Sequence, residues 1–379
     1  MKITILIILS LIFLGSSCKD STRPQPADCN LGFLPCEDDI EECCEVICQE
    51  TYHTCGEFLT ECCLEITSHN FSWEIDTIGS YGSFLRDVTI VDENNIWVVG
   101  NIETVEGEYN AAHWDGVEWE LLGIYSNTLD LWSIHYISED DIWVTDYCSP
   151  IHWDGNEWSL YHIQNMGLNA CVGNDIWGTS SSNIYFVGVE GSIVHYDGTN
   201  FSKLYSGTDI QLNEIDGTTN GEYVFVAGRN DSGESIALMI HDNEVTTLYE
   251  GENTLSEPYG GIKSVSVLND TAFFASNQVL WNYNYIDSNS RTIIRHDEFS
   301  MLGSVYRMKT EKINDISIMS NGAEYIHFNG QSWFVDSTIL NQFGVNNVYG
   351  YSIDHNNNMV AISGYCCGGG HAIVARGYR

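Results

Sequence analysis

Thirteen cysteines are the residues of this 379-residue chain whose chemistry is easiest to recognise from type and spacing. Eight of them form two copies of the pattern C-x6-C-x6-C-C, nineteen residues apart: Cys29, Cys36, Cys43 and Cys44, then Cys48, Cys55, Cys62 and Cys63. In an exported chain this block is typical of four disulfides, whose pairing the sequence leaves open. A thiolate metal site is the alternative, although the C-x2-C pairs of zinc modules are absent.

Four further cysteines stand later in the chain, at Cys148, Cys171, Cys366 and Cys367. All are expected in loops on one face of the repeat domain described below, with Cys148 and Cys171 in neighbouring repeats. A disulfide between those two is predicted if their Cα atoms come within about 7 Å. The doublet has three interpretations: a vicinal disulfide, pairing elsewhere, or a thiol site.

A second set of residues with binding chemistry emerges when the repeats are aligned on their innermost strands. One position and its predecessor vary between repeats and carry carboxylates, bases and aromatic rings. The ligand-binding candidates are Arg86, Asp87, Trp132, Asp175, Glu214, Lys263, Tyr306, Arg307 and Tyr349. Gathered at one channel mouth, these side chains would bind a glycan, a cation or a protein.

The elements that must position these residues are recognisable from a repeated hairpin. Its copies are His113-Trp114-Asp115-Gly116, His152-Trp153-Asp154-Gly155, His195-Tyr196-Asp197-Gly198 and His327-Phe328-Asn329-Gly330. Asp-Gly and Asn-Gly favour tight hairpin turns, because both central residues need positive φ. Each copy therefore predicts two strands joined by a turn.

Two further strands precede the hairpin in each repeat. The strand directly before the hairpin, which is the second strand of the repeat, can be recognised seven times along the chain. These second strands begin at Asn95, Asp141, Asn183, Tyr223, Thr271, Asp315 and Met359. A period of about 44 residues with four strands is typical of propeller blades. The predicted fold class is therefore all-β, a seven-bladed β-propeller. The last repeat lacks a fourth strand, so Phe71–Ile78 is expected to pair with Ala372–Gly377 and to close the ring by strand exchange.

The repeated tryptophans and histidines are interpreted as structural. Eight tryptophans occupy equivalent blade positions. The simplest explanation for a residue type that recurs from blade to blade is that it packs between adjacent sheets. They are Trp73, Trp97, Trp114, Trp119, Trp143, Trp153, Trp158 and Trp333. The hairpin histidines are spread around the ring and cannot converge on one metal ion.

The N-terminal residues predict export. Lys2 precedes an apolar run, Ile3–Leu14, that is too short to span a bilayer and is typical of a signal peptide. The following Gly15-Ser16-Ser17-Cys18 resembles a bacterial lipobox, which implies a diacylated Cys18 as the mature N-terminus. Lys19 then implies the outer membrane or cell surface. Ordinary signal cleavage near Ser17 is the alternative.

Four regions are predicted along the chain. They are a lipoprotein signal peptide (1–17), a lipid-anchored tether (18–28), a cysteine-rich module of two 19-residue repeats (29–66) and the propeller (69–379). Because spacings of seven place side chains on one helix face, the module is expected to be helical over Glu37–Ile47 and Glu57–Ile66. The segment from Asn174-Asp175-Ile176-Trp177-Gly178-Thr179 to Phe201 resembles the tandem propeller repeats, with WDG-type hairpins, of bacterial secreted and surface lipoproteins. That resemblance implies fold and export, and says little about function.

Charge and motifs narrow the function classes. The chain carries 53 acidic and 14 basic residues, a formal net charge of −39, which repels nucleic acid and anionic membranes. Contact with a membrane is therefore expected only through the lipid anchor. No G-x-S-x-G or H-E-x-x-H motif occurs, and the adjacent Asp and Gly of the hairpins depart from sialidase boxes.

No catalytic residue, metal ligand or cofactor is therefore assigned. Ca²⁺ is considered at Asp354–Asn358, which has alternating oxygen ligands but lacks the glycine and the closing glutamate of a calcium loop. The predicted function is an exported binding scaffold for a protein or a glycan at the cell envelope. A polysaccharide hydrolase or lyase using carboxylates at the channel mouth is one alternative, and a purely structural envelope component is another.

Overall fold

The computed structural model describes residues 33–35, 43–45, 52–55, 61–125, 130–252, 261–276, 279–287, 291–295, 305–320, 322–344, 347–368 and 370–379. The chain divides into two units, Met1–Glu65 and Ile66–Arg379. The predicted signal peptide and tether, including Cys18, lie outside the described residues, as do the side chains of the eight module cysteines. Within the described ranges, no helix has the length and apolar character needed to cross a membrane.

The N-terminal unit contains two short hairpins. Phe33–Pro35 pairs with Cys43–Glu45, and Tyr52–Cys55 pairs with Glu61–Leu64. The two hairpins have the same register at an offset of nineteen residues, since Leu34 faces Cys44 and His53 faces Cys63. The prediction of helices over Glu37–Ile47 and Glu57–Ile66 is therefore wrong where the backbone is described. A spacing of seven also fits two short strands folded back on each other, so this periodicity does not select a helix.

The second unit is an all-β, seven-bladed propeller, as the repeats predict, and each blade is a four-stranded antiparallel sheet. Blades are numbered in chain order, and their strands are counted from the channel outwards. Blade 1 is Phe84–Asp92, Asn95–Glu103, Glu108–Trp114 and Trp119–Leu122; blade 2 is Ser133–Ser138, Asp141–Thr145, Pro150–Trp153 and Trp158–Leu160; blade 3 is Cys171–Ser180, Asn183–Val189, Ile193–Tyr196 and Phe201–Leu204; blade 4 is Leu212–Gly217, Tyr223–Arg229, Glu234–His241 and Glu244–Glu252. Blade 5 is Ile262–Leu268, Thr271–Ser276, Val279–Asn284 and Arg291–Arg295; blade 6 is Val305–Lys312, Asp315–Ser320, Tyr325–Phe328 and Trp333–Asp336; blade 7 is Val348–Asn356, Met359–Cys366, His371–Tyr378 and Ser72–Ile78.

Blade 7 combines the two ends of this unit. Its fourth strand, Ser72–Ile78, lies antiparallel to His371–Tyr378, with Ala372 opposite Ile78 and Gly377 opposite Trp73. Two short helical segments, the 3-10 turn Ile163–Met166 and the α-helix Thr338–Phe343, lie between blades 2 and 3 and between blades 6 and 7 in the chain.

The core is a series of apolar clusters, one between each pair of neighbouring blades. The second strand of each blade contributes to two clusters, because its successive side chains point to opposite faces of the sheet. In blade 5, for example, Phe274 packs with blade 4 and Phe273 packs with blade 6. A seventh cluster joins Val374 of blade 7 to Val98 of blade 1. The ring is thus continuous in its packing.

Each hairpin histidine is part of a local packing unit, in agreement with the structural interpretation. In blade 2, His152 Nε2 lies 2.8 Å from Asp141 Oδ1, and the Trp143 indole N–H donates to the same oxygen at 3.0 Å. The His152 and Trp143 rings stack at 4.1 Å. The equivalent contacts are His113 with Asn95, His195 with Asn183 and His327 with Asp315.

Candidate functional site

A β-bulge in the innermost strand places one extra residue at the channel mouth in five of the blades. Bulges insert an unpaired residue and redirect its side chain. The bulged residues are Arg86, Asn213, Lys263, Tyr306 and Tyr351. Because these positions are not constrained by pairing, they are free to differ in chemistry from blade to blade.

These strands surround a cavity of about 380 Å³ on the channel axis. Seven of the predicted ligand-binding residues line it: Arg86, Asp87, Trp132, Asp175, Glu214, Tyr306 and Arg307. Lys263 lines a second cavity of about 280 Å³, which shares Asn213, Tyr306 and Arg307 with the first. We call the two cavities together the mouth.

Tyr349 does not line either cavity, and the structure corrects this assignment by two residues. The bulge of blade 7 lies between Gly350 and Ser352, so Tyr351 is the extra residue and lines the first cavity. Tyr349 instead stacks on Tyr365 at 5.1 Å. Glycines in the second strands indicate the true register, because Gly100 of blade 1 and Gly364 of blade 7 pair with Leu85 and Gly350, the residues just before the bulges. A Cβ on either glycine would collide with the first-strand backbone.

The channel carboxylates are first of all structural. The innermost strand of a blade is a sheet edge whose inward N–H groups need partners. Side chains of the preceding blade supply them: Ile134 N–H donates to Asp87 at 2.9 Å, and Ile215 N–H donates to Asp175 at 2.8 Å. Glu214 accepts from Val265 N–H at 3.0 Å. Bonds of this kind also join blade 7 to blade 1 and blade 5 to blade 6, where the acceptors are Asp354 and Ser264.

Burial and mutual repulsion control the ionisation of these acids. Burial, followed by the charges of Asp87 and Glu214, raises the pKa of Asp175 to about 7. Burial also raises the pKa of Glu214, although Arg307 opposes that shift. The Ser133 hydroxyl links two of the acids, at 2.8 Å from Asp87 and 3.0 Å from Asp175.

The cations at the mouth are held on aromatic rings. The Arg86 guanidinium lies 3.8 Å from the Trp132 ring centre, and Lys263 Nζ lies 5.3 Å from that of Tyr306. Burial lowers the pKa of Arg86. Burial, with the charges of Arg229 and Arg307, lowers the pKa of Lys263 to about 8. Several positive charges therefore share one partly buried space.

Sequence reasoning missed a deeper layer of the channel. Asp216, Lys309 and Asp354 line the first cavity, each two residues after another lining residue. Those residues are Glu214, Arg307 and Ser352. Burial lowers the pKa of Lys309, but Asp216 and Asp354 outweigh it and leave that pKa raised. The period of two along a strand would have found this layer. Arg229, at the end of a second strand, also lines the smaller cavity and had no comparable signal.

Cysteines border the same face. Cys148 and Cys171 form a disulfide between blades 2 and 3, with Cα atoms 4.0 Å apart. The neighbouring Tyr147 packs on Trp132 at 5.1 Å, so the disulfide lies next to a residue that contacts the mouth. Cys366 and Cys367 are free thiols, the first buried and the second exposed, and no vicinal disulfide is formed. Burial and Cys367 raise the pKa of Cys366 to about 12.

Aspartates, glutamates, histidines and cysteines are the side chains that could hold a metal ion in this chain. No group of three such side chains arranged for a metal ion occurs in the described residues. In the loop considered for Ca²⁺, the Asp354 carboxylate accepts from Ile90 N–H at 2.7 Å. Asp354 thus belongs to the interblade bonds along the channel.

The chain resembles solved propellers in fold. No protein-family model matches it, and no curated protein does. YCF48 bound to D1 peptide aligns with a TM-score of 0.60 and 14% identity, over 83% of this chain and 99% of that one. The extracellular domain of the hybrid two-component system BT3049 from B. thetaiotaomicron aligns at 0.54 and 12%, over 80% of this chain and 42% of that one. The Pan2 WD40 domain of Neurospora crassa aligns at 0.55 and 8%, over 82% and 97%. At these identities the likeness shows a shared β-propeller architecture.

Proposed function

We propose that this protein is a recognition scaffold that binds a protein or a glycan at the channel mouth. The observation that carries the proposal is the convergence of Arg86, Trp132, Lys263, Tyr306 and Tyr351 on two adjoining cavities. Binding sites are typically concave and hold a few convergent polar groups. The YCF48 structure, in which a propeller of similar fold is bound to a peptide, adds support.

A strand-exchanged ring is part of this proposal, because the mouth exists only while blades 1 and 7 remain together. Ser72–Ile78 supports it by pairing with His371–Tyr378 across the two ends of the propeller. Closure of this kind also removes exposed sheet edges.

A polysaccharide hydrolase or lyase is the second candidate. The pKa of Asp175, raised to about 7 by burial, would suit a general acid, and Asp87 is linked to it through Ser133. Against this, the oxygens of Asp87, Asp175 and Glu214 already accept bonds from backbone N–H groups. Binding without product release on glycan and peptide arrays supports the scaffold, whereas product release supports the enzyme. An envelope component with neither activity is the third candidate.

Replacing both Trp132 and Tyr351 with alanine is expected to weaken binding of the best array ligand at least about tenfold, because both rings line the mouth. Tyr349→Ala is the matched control, since that ring stacks on Tyr365 outside the cavities. Its affinity should stay within about twofold of the parent. Isothermal titration calorimetry measures all three proteins. Equal losses in the double variant and the control would place the ligand elsewhere.

The proposed location is the bacterial cell envelope, with a lipid on Cys18 as anchor and the cysteine-rich module as spacer. The signal-like run before Cys18 and the polar residues after it support this arrangement. Mass spectrometry of protein from the membrane fraction is expected to find a diacylglyceryl group on an N-terminal Cys18. Cys18→Ser should move the protein to the soluble fraction, and retention of that variant in the membrane would contradict lipid anchoring.

A further inference from the structure

We propose that the mouth binds a carboxylate of an acidic residue in a peptide segment of a partner protein. The carboxylate would be held between Arg86 and the group formed by Arg229, Lys263 and Arg307. This rests on the proposed function and names its ligand chemistry. Arginine forks fit carboxylates in bidentate geometry, and such charge-assisted bonds are about twice as strong as neutral ones.

The first argument is the distribution of positive charge. The chain has only 14 lysines and arginines against 53 acidic residues. Five of the 14 line the mouth: Arg86, Arg229, Lys263, Arg307 and Lys309. Six acids also line the two cavities, five of them in the larger one, so the excess of positive charge lies in the smaller cavity, where Arg229, Lys263 and Arg307 face one acid, Asp231. A cleft lined mainly by one sign of charge focuses its field on an ion of the other sign.

The second argument is that two of these cations are uncompensated. Arg86 and Arg229 form no ion pair within the described ranges. The Nε atom of each is buried and has no hydrogen-bond partner there. Arg307 differs, because its Nε lies 3.9 Å from Glu214 Oε1. A partly buried guanidinium group without a counter-ion is costly, and a ligand carboxylate at the mouth would supply the counter-charge that the described residues do not give Arg86 and Arg229.

The third argument separates a peptide carboxylate from a glycan. Sugars are usually held by stacking on an open aromatic face, whereas the rings of Trp132 and Tyr306 already lie next to cations of the mouth. Arg86 lies over Trp132 at 3.8 Å, and Tyr147 packs on the same ring at 5.1 Å. Lys263 and Arg307 lie 5.3 and 5.4 Å from the Tyr306 ring centre. These rings orient cations, which suits recognition of charge.

The acidic surface outside the mouth adds a specificity rule. A net charge of −39 repels a polyanion such as a polyuronate before it reaches the cations. A peptide that presents one or two carboxylates between basic residues complements both regions. Its carboxylates face the cations of the mouth, and its basic flanks face the surrounding acids. The expected motif is a central glutamate or aspartate flanked by lysine or arginine.

The test is selection from a random peptide array with the full-length protein, beside tetragalacturonate as the glycan probe. Selected peptides should carry a central acidic residue with basic flanks, and its replacement by the amide should weaken binding at least about tenfold. Arg86→Gln and Arg229→Gln should each weaken it by a similar factor, with Lys263→Gln as a further variant should one of them fail to fold. Lys203→Gln, an equal charge change on the outer strand of blade 3, should leave affinity unchanged.

Two results would overturn the proposal. One is a set of selected peptides with no preference for a carboxylate, and the other is tighter binding of tetragalacturonate than of any peptide. If the ligand found in either case is lost in the Trp132→Ala/Tyr351→Ala protein, the mouth remains the binding site and only the carboxylate assignment fails. If no ligand responds to that double variant, the proposed function fails as well.

Discussion

Replacing Asp76 with alanine is expected to lower the free energy of unfolding of the propeller by about 3 kcal/mol. Asp76 lies in Ser72–Ile78, the outermost strand of blade 7, and accepts from Arg376 at 2.8 Å and from the Trp119 indole at 3.0 Å. Arg376 is 3% exposed and lies 3.8 Å from the ring centre of Trp114. Without Asp76, a nearly buried guanidinium loses its best partner where blade 7 meets blade 1. Denaturant unfolding followed by tryptophan fluorescence measures the change.

Glu74 provides the control, because it contacts the same guanidinium at 3.2 Å but its side chain is 63% exposed. Exposed ion pairs contribute about 0–1 kcal/mol, so Glu74→Ala should change the free energy of unfolding by no more than that. If the two variants were equally stable, the Asp76–Arg376 contact would contribute little where blade 7 meets blade 1, and that junction would depend on the backbone pairing and the apolar cluster alone.

The fold was predictable because its signals are local and repeated. An Asp-Gly or Asn-Gly turn between alternating apolar residues permits few structures other than a hairpin, and the seven second strands give the number of blades. The N-terminal module lacked such a signal. Its cysteine spacing fits both a helix face and a folded pair of strands, and Leu34 opposite Cys44 shows the second.

The strand positions that form the candidate site could be predicted from the sequence, but the contacts and charge pairing of their side chains could not. Aligning the inner strands found most of the mouth, but Tyr349 was chosen where Tyr351 lines the cavity, because the bulge at Gly350 was not recognised. Distances between blades determine which mouth cations are paired. Arg307 approaches Glu214, whereas Arg86 lacks an ion pair within the described ranges. Sequence cannot supply those distances.

The degree to which each repeated tryptophan is buried could not be predicted from the sequence either. Eight tryptophans hold equivalent repeat positions, and packing between sheets was predicted for all of them, yet only Trp143 among them is fully buried. The others are partly exposed, as in the Trp114–Trp119 and Trp153–Trp158 pairs, whose ring centres are 5.6 and 5.5 Å apart. Equivalent positions share a backbone but differ in what the next blade packs against them.

Trp143→Ala is therefore expected to cost about 4 kcal/mol of unfolding free energy, in the range for large-to-small changes at fully buried aromatic residues. The ring is 0% exposed and packs against Phe186 and Tyr196 of blade 3 at 5.4 and 5.2 Å. Its removal would leave a cavity between blades 2 and 3 and would deprive Asp141 of the indole donor at 3.0 Å. Chemical denaturation of the full chain, monitored by far-ultraviolet circular dichroism, measures the loss.

Trp97→Ala is the matched comparison, because Trp97 holds the equivalent position in blade 1. It makes the same two local contacts, donating to Asn95 at 3.0 Å and stacking on His113 at 4.4 Å. It is only partly buried, so its removal should cost at most about 2 kcal/mol. A difference of this size would show that contacts with the next blade, which the repeat itself does not encode, determine how much each tryptophan stabilises the ring. Equal losses would assign the stabilisation to the local histidine–tryptophan unit instead.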